Sequence, residues 1–406
     1  MKLSKEIAEE LVSKFESPLY VFHKDYFIEN YNKLLNAIRK IYPKYNIAYS
    51  YKTNYTPGIC KTVKELGGLA EVVSEMEYNL AKKIGYQNDE IIFNGPVKGE
   101  SLYDHLENGG VINIDSLDEL TRIIIFANNN LDKEYKVAFR VNLDVGQGFI
   151  SRFGVDATNG DLDKAIRKVL DQKNLKLVGL HCHIGRSRGI DAWKKRVNLM
   201  LDLVDIYFDK TPEFIDLGSG MNSIMEPELA VQFSGEIPTY EEYADVIGNA
   251  MQSKYGNLQY EEQPLLLTEP GTTVISGYLT FLAKVVSIKN IKGKNFAILD
   301  GSDGNIGDIC RLKQLPISVY SSGEEYKDVD FVGYTCIEHD VMYKGYSGKL
   351  AVGDIVEFRN VGSYSNVFKP PFILPNGAMI ELNEKGEDKL LKRREVFDDI
   401  FHTYEF

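Results

Sequence analysis

The chain has 406 residues, with 47 Lys and Arg against 59 Asp and Glu, a formal charge of −12. At about 150 residues per domain, this length predicts two or three domains, or one large α/β domain with a satellite. Hydrophobic residues at 44% and charged residues at 26% exclude disordered, collagen-like and coiled-coil chains, and the acidic balance excludes a general binder of nucleic acid or anionic membrane, which needs a basic face.

The first residues, MKLSKEIAEELVSKF, read as an amphipathic helix without the apolar core of a signal peptide. SPLYVF, at 17–22, follows as a strand expected to join a later sheet. From about residue 44 a unit repeats: a short β-branched apolar run, a polar turn, then a helical period. Strands are expected at 46–52, 69–73, 90–94, 111–114, 136–142, 177–183, 213–217 and 265–269. Helices are expected between them, among them 58–66, 76–83, 117–126, 163–170, 192–207 and 240–251, where apolar residues recur every three or four positions. Eight strands alternating with helices is the count of a (β/α)8 TIM barrel. A doubly wound sheet is the competing fold, although it usually stops at five to seven strands. After Glu269 the texture changes to short strands and turns, as in KLAVGDIVE at 349–357. The expected organisation is a helix and strand at 1–22 joining the sheet domain, a barrel at 23–274 and a C-terminal β-rich domain, a β-barrel or sandwich, at 275–406.

Four scattered cysteines (Cys60, Cys182, Cys310 and Cys336) form no CxxC pair, so neither a disulfide framework nor a structural zinc site is expected. No apolar run approaches the roughly 20 residues that cross a bilayer. The expectation is a cytoplasmic protein with reduced thiols.

In barrels of this type functional residues sit where strands end. The strand ends here carry Lys52, Glu71 with Ser74, Asn94, Asp115, Arg140 with Asn142, His183, Gly218-Ser219-Gly220 and Glu269. A lysine, a histidine, a glycine-rich loop and a carboxylate thus converge on one mouth. Each has a plainer reading alone. A strand-end lysine is usually solvated, but Lys52 ends an apolar strand, and a desolvated amine has a lowered pKa and forms Schiff bases. Gly-Ser-Gly in IDLGSGMN is an ordinary turn, or a phosphate cradle of backbone N–H groups helped by a following helix N-terminus. Glu269 in TEPG is a loop residue, or the partner of a protonated ring nitrogen. His183 in HCHIG is a satisfied core histidine, or a ring that stacks on a flat cofactor. His181 and His183 point the same way on a strand, yet no third metal ligand is evident, so no metal is expected. Cys336 in GYTCIEHD is a buried small hydrophobe, or a proton donor whose acidic neighbours Glu338 and Asp340 raise its pKa.

Together these residues resemble the fold-type III pyridoxal-phosphate decarboxylases, the group of diaminopimelate, ornithine and arginine decarboxylases, from SPLYVF to the GSYS segment at 362–365. The HCHIG form, YSYKTN and EVVSEME are most similar to the diaminopimelate branch. The resemblance implies an alanine-racemase-type barrel plus a β domain, pyridoxal 5'-phosphate, and decarboxylation of an amino acid by a homodimer with shared active sites. It implies a Schiff base on Lys52, His183 stacked on the ring, and phosphate held by Gly218, Ser219 and Gly220. It further implies Glu269 on the pyridine nitrogen, Tyr364 at the cofactor, a cysteine-carboxylate motif at Cys336 and Asp340, and Cys336 of the partner subunit as proton donor.

Three departures bear on the substrate. Thr272 stands where the family usually has the arginine of Glu-Pro-Gly-Arg. Arg186 stands where a serine usually follows HIG, and is expected to restore the lost positive charge. Ile337 stands where the diaminopimelate and ornithine branches carry an acid, with Glu338 one residue on and so facing the other way in an extended segment. Arg311 falls near a family arginine that holds substrate carboxylate. An amino acid or conjugate other than diaminopimelate therefore stays open, as do, less favoured, a racemase and a non-catalytic homologue.

Overall fold

In the computed structural model, which describes residues 2–146 and 148–406, the apolar runs between residues 45 and 268 become parallel strands. After β1 (Leu19–His23) come β2 (Tyr45–Ser50), β3 (Leu69–Val72), β4 (Ile91–Phe93), β5 (Val111–Ile114) and β6 (Tyr135–Asn142). These are followed by the short β7 (Val155–Asp156), then β8 (Leu175–His181), β9 (Phe214–Asp216) and β10 (Leu265–Thr268). β10 pairs with β2, and β5 with β6, so the eight strands β2–β6 and β8–β10 close into a ring. Closure rules out the doubly wound sheet. β7 lies outside the ring, beside β6.

Helices return between the strands because their sequences cap themselves. Ser74 accepts a hydrogen bond from Glu77 N and opens Glu75–Ile84, and Ser116 does the same from Glu119 N for Leu117–Asn128. Thr239 and Glu242 form a reciprocal capping box for Tyr240–Tyr255.

The period of two along each strand builds the barrel interior in storeys. Ala48, Leu69, Ile92, Val111, Ala138, Phe214 and Leu267 pack into one apolar layer. On β8 the matching place is Gly179, where a Cβ would meet the Phe214 ring at 2.7 Å. Two residues further along each strand the same face carries Ser50, Glu71, Asn94, Asn113, Arg140, His181, Asp216 and Glu269. An apolar floor therefore supports a polar storey. Truncating Phe214 to Ala would open a cavity in that floor and cost about 3–5 kcal/mol.

The chain forms two compact units, Asn30–Asn222 with Gly235–Thr273, which holds the barrel, and Met1–Glu29 with Ser223–Ser234 and Val274–Phe406. In the second, β1 pairs antiparallel with β11 (Leu279–Ile291) and parallel with a later strand, Ala378–Leu382. The rest of its sheet is built from strands at Lys294–Leu299, Ile317–Tyr320, Glu324–Val332, Val341–Leu350, Ile355–Phe358 and Asp388–Lys392. The N-terminal helix Lys5–Phe15 packs Ala8, Leu11 and Val12 against Leu19, Val21, Leu282 and Ile380. Residues 223–234 belong here through the buried Arg359, which donates to both oxygens of Glu226 at 2.8 and 3.0 Å. Among the described residues, no helix is long and apolar enough to cross a membrane.

Candidate active site

The polar storey opens into a cavity of about 680 Å³ at the C-terminal ends of the barrel strands. β2 ends at Ser50, and a 3-10 turn, Tyr51–Thr53, swings Lys52 into this space. Lys52 Nζ lies 2.5 Å from Glu71 Oε2. Glu71 also accepts from Ser50 Oγ at 2.5 Å and from Asn94 Nδ2 at 3.0 Å. Asn94 Nδ2 donates in addition to Glu269 Oε1, and Asn113 Nδ2 holds Asn94 Oδ1 at 2.7 Å. One hydrogen-bonded chain thus runs from the lysine to the glutamate across the barrel mouth.

Glu269 is buried, with Oε2 3.0 Å from His183 Nδ1 and 3.1 Å from His181 Nε2. Burial pushes its pKa up, but His181 and His183 outweigh this and hold it well below the usual carboxylate range. Asp216, equally buried, goes the other way. Burial and the charge of Glu269 raise it well above its ordinary value, against the Gly218 N–H it accepts. Two buried carboxylates beside each other cannot both be charged cheaply, and here the histidines select Glu269 as the ionised one. His183 leaves about a fifth of its side chain (21%) open. Burial, opposed by its bond to Glu269, drives its pKa down to about 4, so its ring is neutral at pH 7.

Gly218 and Gly220 both have positive φ, 61° and 108°. A Cβ at Gly218 would meet Cys182 O at 2.3 Å, and one at Gly220 would meet Ile184 O at 2.1 Å. The loop therefore lies against the β8 exit as only glycine allows. The fully buried Arg196 pins it from behind, donating to Leu217 O, Ser219 O and Ile184 O at 3.1, 2.7 and 2.9 Å and stacking on Trp193 at 3.9 Å. No helix follows the loop directly. The chain runs irregularly to a four-residue helix, Pro227–Ala230, which Pro227 opens from its first position. The expected helix N-terminus does not contribute to the cradle. Arg196 was missed in the sequence. Its signal was an arginine three residues after a tryptophan on the apolar side of a helix.

Arg186 is exposed at the cavity rim, its guanidinium 5.1 Å from the Phe149 ring. Thr272 is partly buried and begins the turn Thr272–Ile275. Arg140, also lining the cavity, is 3.5 Å from Asp115. The remaining predicted residues belong to the other unit. Cys336 and Glu338 are exposed there. Asp340 is buried, and its carboxylate is taken up by Asp303 N at 2.7 Å and Thr335 Oγ1 at 2.6 Å, so it shapes the Cys336 loop. Arg311 is largely exposed, 3.6 Å from Asp303. Tyr364 has a positive φ of 50° and its ring lies 5.4 Å from Phe368.

An amine, an ionised buried acid, a neutral half-buried imidazole and a glycine cradle in one barrel mouth fit a phosphorylated aromatic aldehyde. These groups could hold, in turn, its aldehyde, ring nitrogen, ring face and phosphate. The class defined by fold and site is a barrel enzyme of carbonyl cofactor chemistry.

The chain belongs to the pyridoxal-dependent decarboxylase family. The family's pyridoxal binding domain matches residues 29–276, and its C-terminal sheet domain matches 203–362. It is therefore a pyridoxal-phosphate-dependent amino-acid decarboxylase. It is similar to a diaminopimelate decarboxylase of Methanocaldococcus jannaschii, 28% identical over 97% of this chain and 92% of that one. The crystal structure of diaminopimelate decarboxylase from M. jannaschii with L-lysine superposes with a TM-score of 0.86, at 27% identity over 97% and 93% of the two chains. An L-glutamyl-[BtrI acyl-carrier protein] decarboxylase of Niallia circulans is 25% identical over 99% of this chain and 97% of its own.

Proposed function

We propose that this enzyme decarboxylates diaminopimelate or a closely related amino acid, with Lys52 carrying the cofactor and Cys336 of the partner subunit delivering a proton. The hydrogen-bonded chain from Lys52 through Glu71 and Asn94 to Glu269 carries this reading. It couples the amine to the acid that pairs with the ring nitrogen. Pyridoxal phosphate, when bound, supplies the electron sink for the pair released as carbon dioxide leaves.

Lys52 offers the amine, and Glu71 accepts its hydrogen bond at 2.5 Å and fixes its direction. Glu269, held ionised, keeps a proton on the ring nitrogen. His183, neutral, covers the ring face without adding charge. The reading gives the phosphate to the Gly218-Ser219-Gly220 loop, whose first N–H is already donated to Asp216 and whose Ser219 carbonyl is held by Arg196. Arg186 adds a guanidinium at the rim in place of the charge absent at Thr272. The reading assigns Tyr364 to the cofactor, and Arg311 and Glu338 to the substrate. Asp340 holds the loop that presents Cys336.

The Niallia circulans relative, named for an acyl-carrier-protein conjugate, favours a second substrate class. The exposed Ile337, where an acid would meet a distal ammonium, agrees with it. The test is carbon dioxide release across a panel of amino acids and acylated conjugates, including diaminopimelate. Release from diaminopimelate supports the first reading. Silence there with release from a conjugate selects the second. Borohydride should fix the yellow cofactor to Lys52, and a colourless protein that ignores the cofactor defeats both.

A further inference from the structure

The polar storey holds a donor set that decarboxylation does not exhaust. One ring nitrogen each of His181 and His183 and a Glu269 oxygen lie within 4.8 Å of one another, and all three residues line the cavity. The two histidines meet at Glu269 Oε2, at 3.1 and 3.0 Å. His181 is fully buried. Among the described residues, neither of its ring nitrogens has a hydrogen-bond partner, because its approach to Glu269 is close but misdirected. A buried imidazole whose nearest polar neighbour is a poorly aligned carboxylate oxygen at 3.1 Å is costly and uncommon. A cation between the three groups would match one of those nitrogens.

Two imidazole nitrogens and one carboxylate oxygen, with a further position open, is the donor set of three-ligand zinc and related transition-metal sites. Ligands at about 2.0–2.2 Å from such an ion stand roughly 3–4 Å apart, the separation at which both histidine nitrogens already stand from Glu269 Oε2. The third ligand, Glu269, follows β10 and lies 86 residues from His183, so HCHIG alone does not show it.

We propose that the chain without its cofactor binds a divalent transition-metal ion of the zinc type through His181, His183 and Glu269, and that ion and cofactor exclude each other. The exclusion rests on the reading that Glu269 and His183 receive the cofactor. Zinc would then act on cofactor loading rather than on turnover.

The test strips the cofactor from the full chain and titrates it with Co²⁺, followed by its visible absorption. One ion per chain with the intense bands of a four-coordinate site is expected, and pyridoxal phosphate should bleach them. In reverse, Zn²⁺ should raise the half-saturating concentration of pyridoxal phosphate in proportion to the zinc present. His183→Ala, at a half-buried position, should weaken Co²⁺ binding by more than the roughly 10–100-fold typical of losing an outer-shell contact, and His181→Asn should do the same. A double variant of two exposed histidines, His339→Ala with His402→Ala, should bind as before. Binding unchanged in His183→Ala, binding lost in the double variant, or no effect of zinc on loading would each overturn the proposal. A chain that takes pyridoxal phosphate but no Co²⁺ loses only this inference. One that takes Co²⁺ through His183 but never the cofactor loses the assignment of Glu269 and His183 to the cofactor instead.

Discussion

The barrel unit and the sheet unit hold their candidate residues in opposite ways. In the barrel, Glu71, Asn94, His181, Asp216 and Glu269 are buried and, apart from His181, tied to one another or to backbone. In the sheet unit Cys336, Ile337 and Glu338 are exposed on a loop whose buried anchor is Asp340. A buried network fixes direction and charge, since each group left unmatched costs about 1–3 kcal/mol. An exposed loop fixes neither and can change side chains at little cost to folding. On the proposed reading, the barrel storey holds the cofactor, while the loop and rim carry the proton donor Cys336 and the departures Ile337, Arg186 and Thr272.

The largest expected break of this comparison is Glu269→Gln. The amide keeps the Asn94 contact but cannot hold a proton on the ring nitrogen. Turnover should fall by roughly 10²–10³-fold, the usual cost of removing one preorganised electrostatic group, while the cofactor stays bound. Single-turnover kinetics together with the cofactor absorbance would check both. Full activity in this variant would sink the role assigned to Glu269.

Cys336→Ser sharpens the contrast from the other side. Loss of a positioned proton donor costs about 10²-fold or more. The exposed position should leave melting temperature and cofactor absorbance as they are. A shift in the absorbance would show that the loop also sets the barrel's charges.

The barrel was legible in the sequence because strand alternation and helix period repeat locally, and because functional residues fall at strand ends. Lys52, His183 and Glu269 were placed together this way, and all three line one cavity. The links between them were not. Asn94 and Glu269 are 175 residues apart, and no local pattern shows that one amide serves two carboxylates. Glu71 was visible as a strand end without a role for the same reason. The passage of residues 223–234 into the sheet unit depends on Arg359 meeting Glu226, 133 residues away. Contacts closed only by the fold leave no period to read.

The smallest effect separates the storey's charges from its chemistry. Glu77 caps its helix from the inside, accepting Val73 N at 2.8 Å. Burial, with the nearby charge of Glu71, raises its pKa to about 7, against about 4.5 for an unhindered glutamate. Between those values the folded chain binds the extra proton and the unfolded chain does not. This contribution to stability is therefore full below about pH 4.5 and is lost as pH rises through 7, on the order of 3 kcal/mol in all. Glu77→Gln keeps an acceptor for Val73 N and has no proton to lose. It should unfold like the parent near pH 5 and at a higher temperature than the parent at pH 8, with turnover little changed. Calorimetry across that range checks it. A parent whose stability does not fall between pH 5 and 8 relative to Glu77→Gln would mean that Glu77 reaches water. The buried network would then end at Glu71.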